Sequence, residues 1–347
     1  MRRQATTLLV SALLAFVLAL VATQLPVPYV RDVPGPVTDT LGSDRGKPLI
    51  TIAHPTAAPE GRIFLVTVSE FGGPRRNISS LDVLLGWWNR SDAVIPRRLI
   101  YSDTQTPAQV NQQGTQQMMS SEETAKIAAL RYLRYPLTPG VDVASVNAAA
   151  LKGKLMTDDI IVGVDGVAVA NRDALLKVTA AHKAGDQLTL NVVRGTTTLA
   201  VPVTLNPGQG GGGPTIGVGV FDTYTEPFAI DIKLANVVGP SAGTAFALGI
   251  IDKLSDGTLT GGRTIAVTGT IDENGIVGAI GGVVQKMAGA RRAGATVFLL
   301  PKDNCAEALT AVPRGLRIVP LTTLVSAVDA LKAIRAGSTN VPTCPAG

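Results

Sequence analysis

Thr268 to Lys286 reads TGTIDENGIVGAIGGVVQK, and the segment Gly239-Pro240-Ser241-Ala242-Gly243 lies a short way upstream. The longer run closes a strand over Thr264 to Ile271, turns through a hairpin and enters a helix over Val283 to Ala293, with Gly281-Gly282 leaving room at the helix start. Around it the spacing predicts strands over Ile216 to Val220, Phe228 to Leu234 and Thr296 to Leu300. Helices are expected over Ser241 to Leu254 and Thr322 to Arg335. Strands interleaved with helices argue an α/β or α+β core for residues 215–336.

Two side chains of this domain carry chemistry. Ser241 stands at a helix start, where backbone N–H groups are free to stabilise an oxyanion, and the small residues Ala242, Gly243 and Ala245 leave space for a substrate backbone. Pro-Ser at a helix start is also an ordinary capping arrangement. A serine hydroxyl is a weak nucleophile until a neighbour takes its proton. His54 and His182 both lie outside residues 215–336, so a Ser-His-Asp set within the domain is excluded. A lysine can take the histidine's part where burial lowers its pKa from about 10.4 toward roughly 7–8. Lys286, among Val283, Val284, Met287 and Ala288, is the best candidate; the bland reading is a solvated lysine on a helix face.

Upstream, Gly208 to Pro214 (GQGGGGP) is a flexible linker, assigned to residues 207–214. Before it, residues 137–206 form a compact unit. Asp159 to Val169 (DIIVGVDGVAV) is a strand and a tight Asp-Gly turn, Arg172 to His182 a helix opened by Asn171, and Gln187 to Val193 and Thr198 to Leu205 two alternating strands. This unit resembles a bacterial, circularly permuted PDZ domain, a class that binds extended peptides or C-terminal carboxylates by strand addition. Residues 29–135 are a linker and an N-terminal β-containing extracytoplasmic region, of which residues 48–135 are the hardest to read. Residues 29–47, rich in Pro, Gly and Asp, read as a linker. Pro48 to Ala53 and Arg62 to Ser69 read as strands, and Ser120 to Tyr135 as a helix with Ser120 or Ser121 as its cap.

Residues 5–28 (ATTLLVSALLAFVLALVATQLPVP) carry no charge and follow Met1-Arg2-Arg3. Their length suits a bilayer span, with the arginines keeping residues 1–28 as a cytoplasmic tail and anchor. A cleaved signal peptide is the alternative, and no clean Ala-x-Ala closes the segment. The expectation is a single-pass cell-membrane protein, contacting the lipid bilayer through residues 5–28, with its catalytic domain extracytoplasmic. Cys305 and Cys344 would then sit where disulfides form, and a bond between them would staple the tail, residues 337–347, to the last domain. The net charge of +5 is scattered, with no basic stripe interleaved with aromatics, which argues against nucleic-acid binding. No metal or cofactor site is legible.

The chain resembles the Lon-type (S16) Ser-Lys serine proteases, in particular the membrane-anchored PDZ–Lon-like proteases of Gram-positive bacteria. The resemblance rests on GPSAG at Gly239 to Gly243, the run Thr268 to Gly282, Lys286 four positions on, and P-x-x-N at Pro301 to Asn304. It implies an α+β multidomain chain of transmembrane helix, small β-rich region, PDZ-like domain and Lon-type proteolytic domain. It implies Ser241 as nucleophile, Lys286 as general base and Thr268 as a supporting hydroxyl. Where the Lon proteases often carry an acid before Gly-Pro-Ser this chain has Val238, and the glutamate usual after Thr-Gly is Thr270. No G-x-x-x-x-G-K-[ST] occurs in the sequence, so an ATP-independent endopeptidase of unfolded or flexible proteins is implied. Lon-type domains tend to form rings, which allows a homo-oligomer. The competing reading is a non-catalytic envelope peptide-binding protein on an inactive protease scaffold.

Overall fold

The computed structural model describes residues 2–44, 46–102, 104–195, 197–208, 212–234 and 237–345. The expected linker at 207–214 and tail at 337–347 therefore lie partly outside the described residues, at 209–211 and 346–347. The helices in chain order are α1 (Arg2–Gln24), α2 (Ser80–Trp88), α3 (Pro107–Tyr132), α4 (Arg172–Ala180), α5 (Gly243–Leu254), α6 (Val283–Arg292), α7 (Cys305–Leu309) and α8 (Leu324–Arg335). Two compact units result. One takes the residues up to Ile50, Ala57–Ala128 and those from Ile232 on; the other takes Thr51–Thr56 and Ala129–Asp231.

The expected transmembrane anchor is corrected by the structure. Among the described residues no helix is long and apolar enough to cross a membrane. α1 ends at Gln24, and Pro26–Val27 is already strand. The part of α1 whose side chains are described without a break begins at Leu9; the side chains of residues 2–5, 7 and 8 lie outside the described ones. The expected single-pass anchoring, from which the cell-membrane localisation was read, is therefore not supported by the described residues.

The first unit is built on a six-stranded sheet in the order Arg317–Leu321, Val297–Pro301, Thr264–Val267, Arg62–Phe71, Tyr29–Asp39, Ala93–Pro96. The first four strands are parallel, and the last two run antiparallel to their neighbours. Phe64 and Val66 pack with Val283 and Met287 of α6 and with Ala266 and Phe298. Ile63 and Leu65, on the other face by the strand's period of two, are buried as well. α5 packs on this sheet and against α8. Tyr29–Asp39 lies where a linker was expected. Its Pro34-Gly35-Pro36 segment coincides with a register break between Pro34 and Val37, the kind of bulge that lets prolines sit in a strand.

Thr264–Val267 pairs with Arg62–Phe71 only over Arg62 to Leu65. Past Leu65, among the described residues, that edge of the Arg62–Phe71 strand has no strand beside it. Thr270–Ile271, expected as the end of the preceding strand, instead pairs with Val277–Gly278 in a separate ribbon. Cys305 and Cys344 are joined in a disulfide.

The second unit is an antiparallel sheet in the order Thr197–Thr204, Gln187–Arg194, Ile160–Val164, Thr138–Val146, Val218–Thr225, with α4 packed on its last two strands. Asn171 caps α4 by accepting from the Ala174 N–H at 2.8 Å. The Asp165-Gly166 turn has both residues at positive φ, as a two-residue hairpin requires. The strand expected over Ile216 to Val220 as the opening of the last domain runs over Val218–Thr225 and pairs instead with Thr138–Val146 in this sheet.

Candidate active site

Ser241 sits in the turn that feeds α5. Gly239 has φ +95, a conformation that favours glycine, and Pro240 follows it. Among the described residues the N–H groups of Ser241 and Ala242 have no recorded partner, whereas the next two donors do: Gly243 N–H reaches Pro240 O at 3.5 Å and Thr244 N–H reaches Gly269 O at 3.1 Å. Two unpaired donors thus stand beside the serine hydroxyl, where an oxyanion would form.

Lys286 is placed by α6. Gly282 caps that helix at φ +68, and a Cβ there would come within 2.6 Å of Val68 Cγ2, so only glycine makes this entry. One turn later Lys286 is 4% exposed, between the fully buried Val283 and Met287. Its Nζ donates to Ser241 Oγ at 2.9 Å and to Thr268 Oγ1 at 3.3 Å. Thr268, completely buried just past Thr264–Val267, donates its hydroxyl to Ser241 O at 3.3 Å. Because that proton is committed, Thr268 Oγ1 meets Lys286 as an acceptor. The structure brings Ser241, Lys286 and Thr268 together as one hydrogen-bonded group.

Burial pulls the Lys286 ammonium from its usual 10.5 down to about 8, with Glu307 on α7 acting weakly in the opposite direction. At neutral pH this multiplies the unprotonated fraction roughly 300-fold over an ordinary lysine. Having lost its proton, Nζ keeps a lone pair 2.9 Å from the serine oxygen and can accept the hydroxyl hydrogen. Val238 and Thr270 both line the cleft.

That cleft, of about 860 Å³, runs past Ser241 and Lys286. Val66 and Val68 line it from the unpaired strand edge, with Ile95, Ile100, Val238 and Ile280. Asp32 and Glu70 also line it, and burial followed by the charge of Glu70 raises the Asp32 carboxyl to about 6. Asn304 fixes the wall beside Lys286: its Oδ1 accepts from Ile280 N–H at 2.9 Å and its Nδ2 donates to Ile280 O at 2.8 Å. Neither histidine lines the cleft. His54 stacks near Tyr135 and Phe228, and His182 Nδ1 lies 3.0 Å from Val178 O.

Sequence reasoning missed what the N-terminal half contributes. The cleft walls from Arg62–Phe71 and Ala93–Pro96, and the contact of Ser121 on α3 with Pro240, have no local signature. Only the apolar alternation of the Arg62–Phe71 strand signalled a buried strand there.

Residues 236–334 match the family model described as the Lon protease (S16) C-terminal proteolytic domain, and residues 118–205 match that of the PDZ domain. The chain is 35% identical over 91 residues to Lon protease 2 of Bacillus subtilis, which covers 26% of this chain and 16% of that protein. It is 42% identical over 79 residues to the Lon protease of Clostridioides difficile, covering 23% of this chain and 10% of that one. The match thus spans a small part of these relatives' length. Among solved structures, the PDZ domain of the SdrC-like protein of Listeria monocytogenes is similar at 26% identity, covering 23% of this chain and 86% of that domain, with a TM-score of 0.22. The chain carries a Lon-like proteolytic domain, of the serine-peptidase class, together with a PDZ domain.

Proposed function

We propose that this chain is an ATP-independent serine endopeptidase in which Ser241 is the nucleophile and Lys286 the general base. The observation that carries the reading is a buried lysine Nζ 2.9 Å from a serine hydroxyl, with no carboxylate in an ion pair with it among the described residues. Neutral Lys286 takes the Ser241 proton as Oγ attacks the peptide carbonyl, and the N–H groups of Ser241 and Ala242 receive the oxyanion. Lys286 then delivers the proton to the leaving amine. In the second half it takes a proton from the water that attacks the Ser241 ester, and returns it to Oγ as the acyl–Oγ bond breaks and the new carboxyl end leaves. Thr268 holds the lysine on the serine throughout.

An extended substrate segment lies in the cleft beside residues 66–70, whose free backbone edge offers strand-like hydrogen bonds. Such a segment must be unfolded or flexible. The PDZ-like unit, which we place at residues 137–206, binds peptide ends and supplies them; residues 215–336 hold the peptidase motifs. Without a P-loop in these 347 residues, the chain has no ATP-binding motif of that kind with which to unfold a substrate. The test is cleavage of an unfolded protein by the wild type and by folded Ser241→Ala and Lys286→Ala. Both variants are expected to be inactive, and full cleavage by either overturns the assignment.

A further inference from the structure

We propose that Ser121, on α3 and outside the matched peptidase region, is a positioning residue for the nucleophile. It acts by orienting the Pro240–Ser241 peptide plane. The inference rests on the peptidase reading above. Ser121 is 4% exposed, and its Oγ donates to the carbonyl of Pro240 at 2.9 Å. One residue earlier in the turn, Gly239 N–H donates to Gly114 O on the same helix at 3.0 Å. Positions 114 and 121 are two helical turns apart and share a face of α3. The nucleophile turn is therefore tied to α3 at two points.

Peptide planarity converts this into chemistry. In a trans peptide the carbonyl and the following N–H point in opposite directions. A Pro240 carbonyl held toward α3 turns the Ser241 N–H away from α3, and this is one of the two unpaired donors next to the hydroxyl. Among the described residues, Gly243 N–H also reaches that carbonyl, at a long 3.5 Å. The site is also closed to alternatives: a Cβ on Gly243 would lie 2.8 Å from Ser121 Oγ. Ser121 thus aims an oxyanion donor without touching substrate.

The experiment compares full-length wild type, Ser121→Ala and Thr115→Ala, the last removing an exposed hydroxyl from α3 away from the turn. Each is assayed for kcat and KM on a flexible peptide. Each is also assayed for Kd of a peptide boronic acid, whose tetrahedral adduct on serine mimics the intermediate. For Ser121→Ala, kcat should fall about tenfold, KM should stay within twofold and the boronate Kd should rise about tenfold. Thr115→Ala should match wild type in all three. Unchanged kcat in Ser121→Ala, or a fall in kcat without weaker boronate binding, overturns the inference. An equal loss in Thr115→Ala assigns the effect to helix folding and overturns it too. A wild type that neither cleaves nor takes the boronate sinks the peptidase reading and this inference with it.

Discussion

Replacing Lys286 by methionine should stabilise the protein at neutral pH while abolishing its activity. Lys286 is 4% exposed, and its pKa is lowered from 10.5 to about 8, a cost to the folded state of about 3 kcal/mol at pH 7. Methionine fills a similar volume with no charge to desolvate. Against this stand the hydrogen bonds to Ser241 and Thr268, worth roughly 1 kcal/mol together once solvent exchange is counted. The net gain expected is about 1–2 kcal/mol at pH 7. Its pH dependence follows from linkage. Between about 8 and 10.5 the unfolded chain binds the proton and the folded chain does not, so wild-type stability rises with pH across that window. The burial cost is complete below about pH 8 and gone above about 10.5, so the variant's advantage should disappear near pH 10. Urea unfolding of both proteins at pH 7 and pH 10, followed through the peptidase unit's transition, measures this. A variant less stable than wild type at pH 7, or an advantage that does not change with pH, would refute the reasoning.

Thr268→Val, nearly isosteric, removes both the acceptor for Lys286 and the donor to Ser241 O; kcat/KM on a flexible peptide should fall about tenfold. Asn304→Ala strips two hydrogen bonds from Ile280 at a buried position and should cost about 2–3 kcal/mol in chemical denaturation, with reduced kcat from the slackened Gly281-Gly282 entry to α6.

The pieces of the candidate site were legible in the sequence because their signals are local. Two glycines, three residues and then a lysine in an apolar helix place Lys286, and a Gly-Pro-Ser turn at a helix start places Ser241. What carries those pieces was less legible. Tyr29–Asp39 looked like a linker because Pro34, Gly35 and Pro36 oppose a strand, yet they sit at a bulge, where the ladder is interrupted and a missing N–H costs little. α3 begins at Pro107, but its first turns are polar and show no apolar period, so only the part from Ser120 was expected as helix. Ser120 and Ser121 before two glutamates imitate a cap, and both lie inside the helix. Val218–Thr225 has the right alternation for a strand, but alternation does not name its partner, and it joined the other sheet. Residues 5–28 matched a bilayer span by composition, while the structure ends the helix at Gln24. Pairings between distant segments are set by packing, and a single sequence carries no record of them.

The central claim is that a buried, partly neutral Lys286 activates Ser241. The rate at which a peptide acylating probe modifies Ser241, followed by mass spectrometry from pH 5 to 10, tests it most directly. The account predicts a rate that climbs about tenfold per pH unit, bends near pH 8 and stays flat above, with no adduct in Ser241→Ala. A rate independent of pH, or an adduct that forms equally well in Lys286→Met, would contradict it.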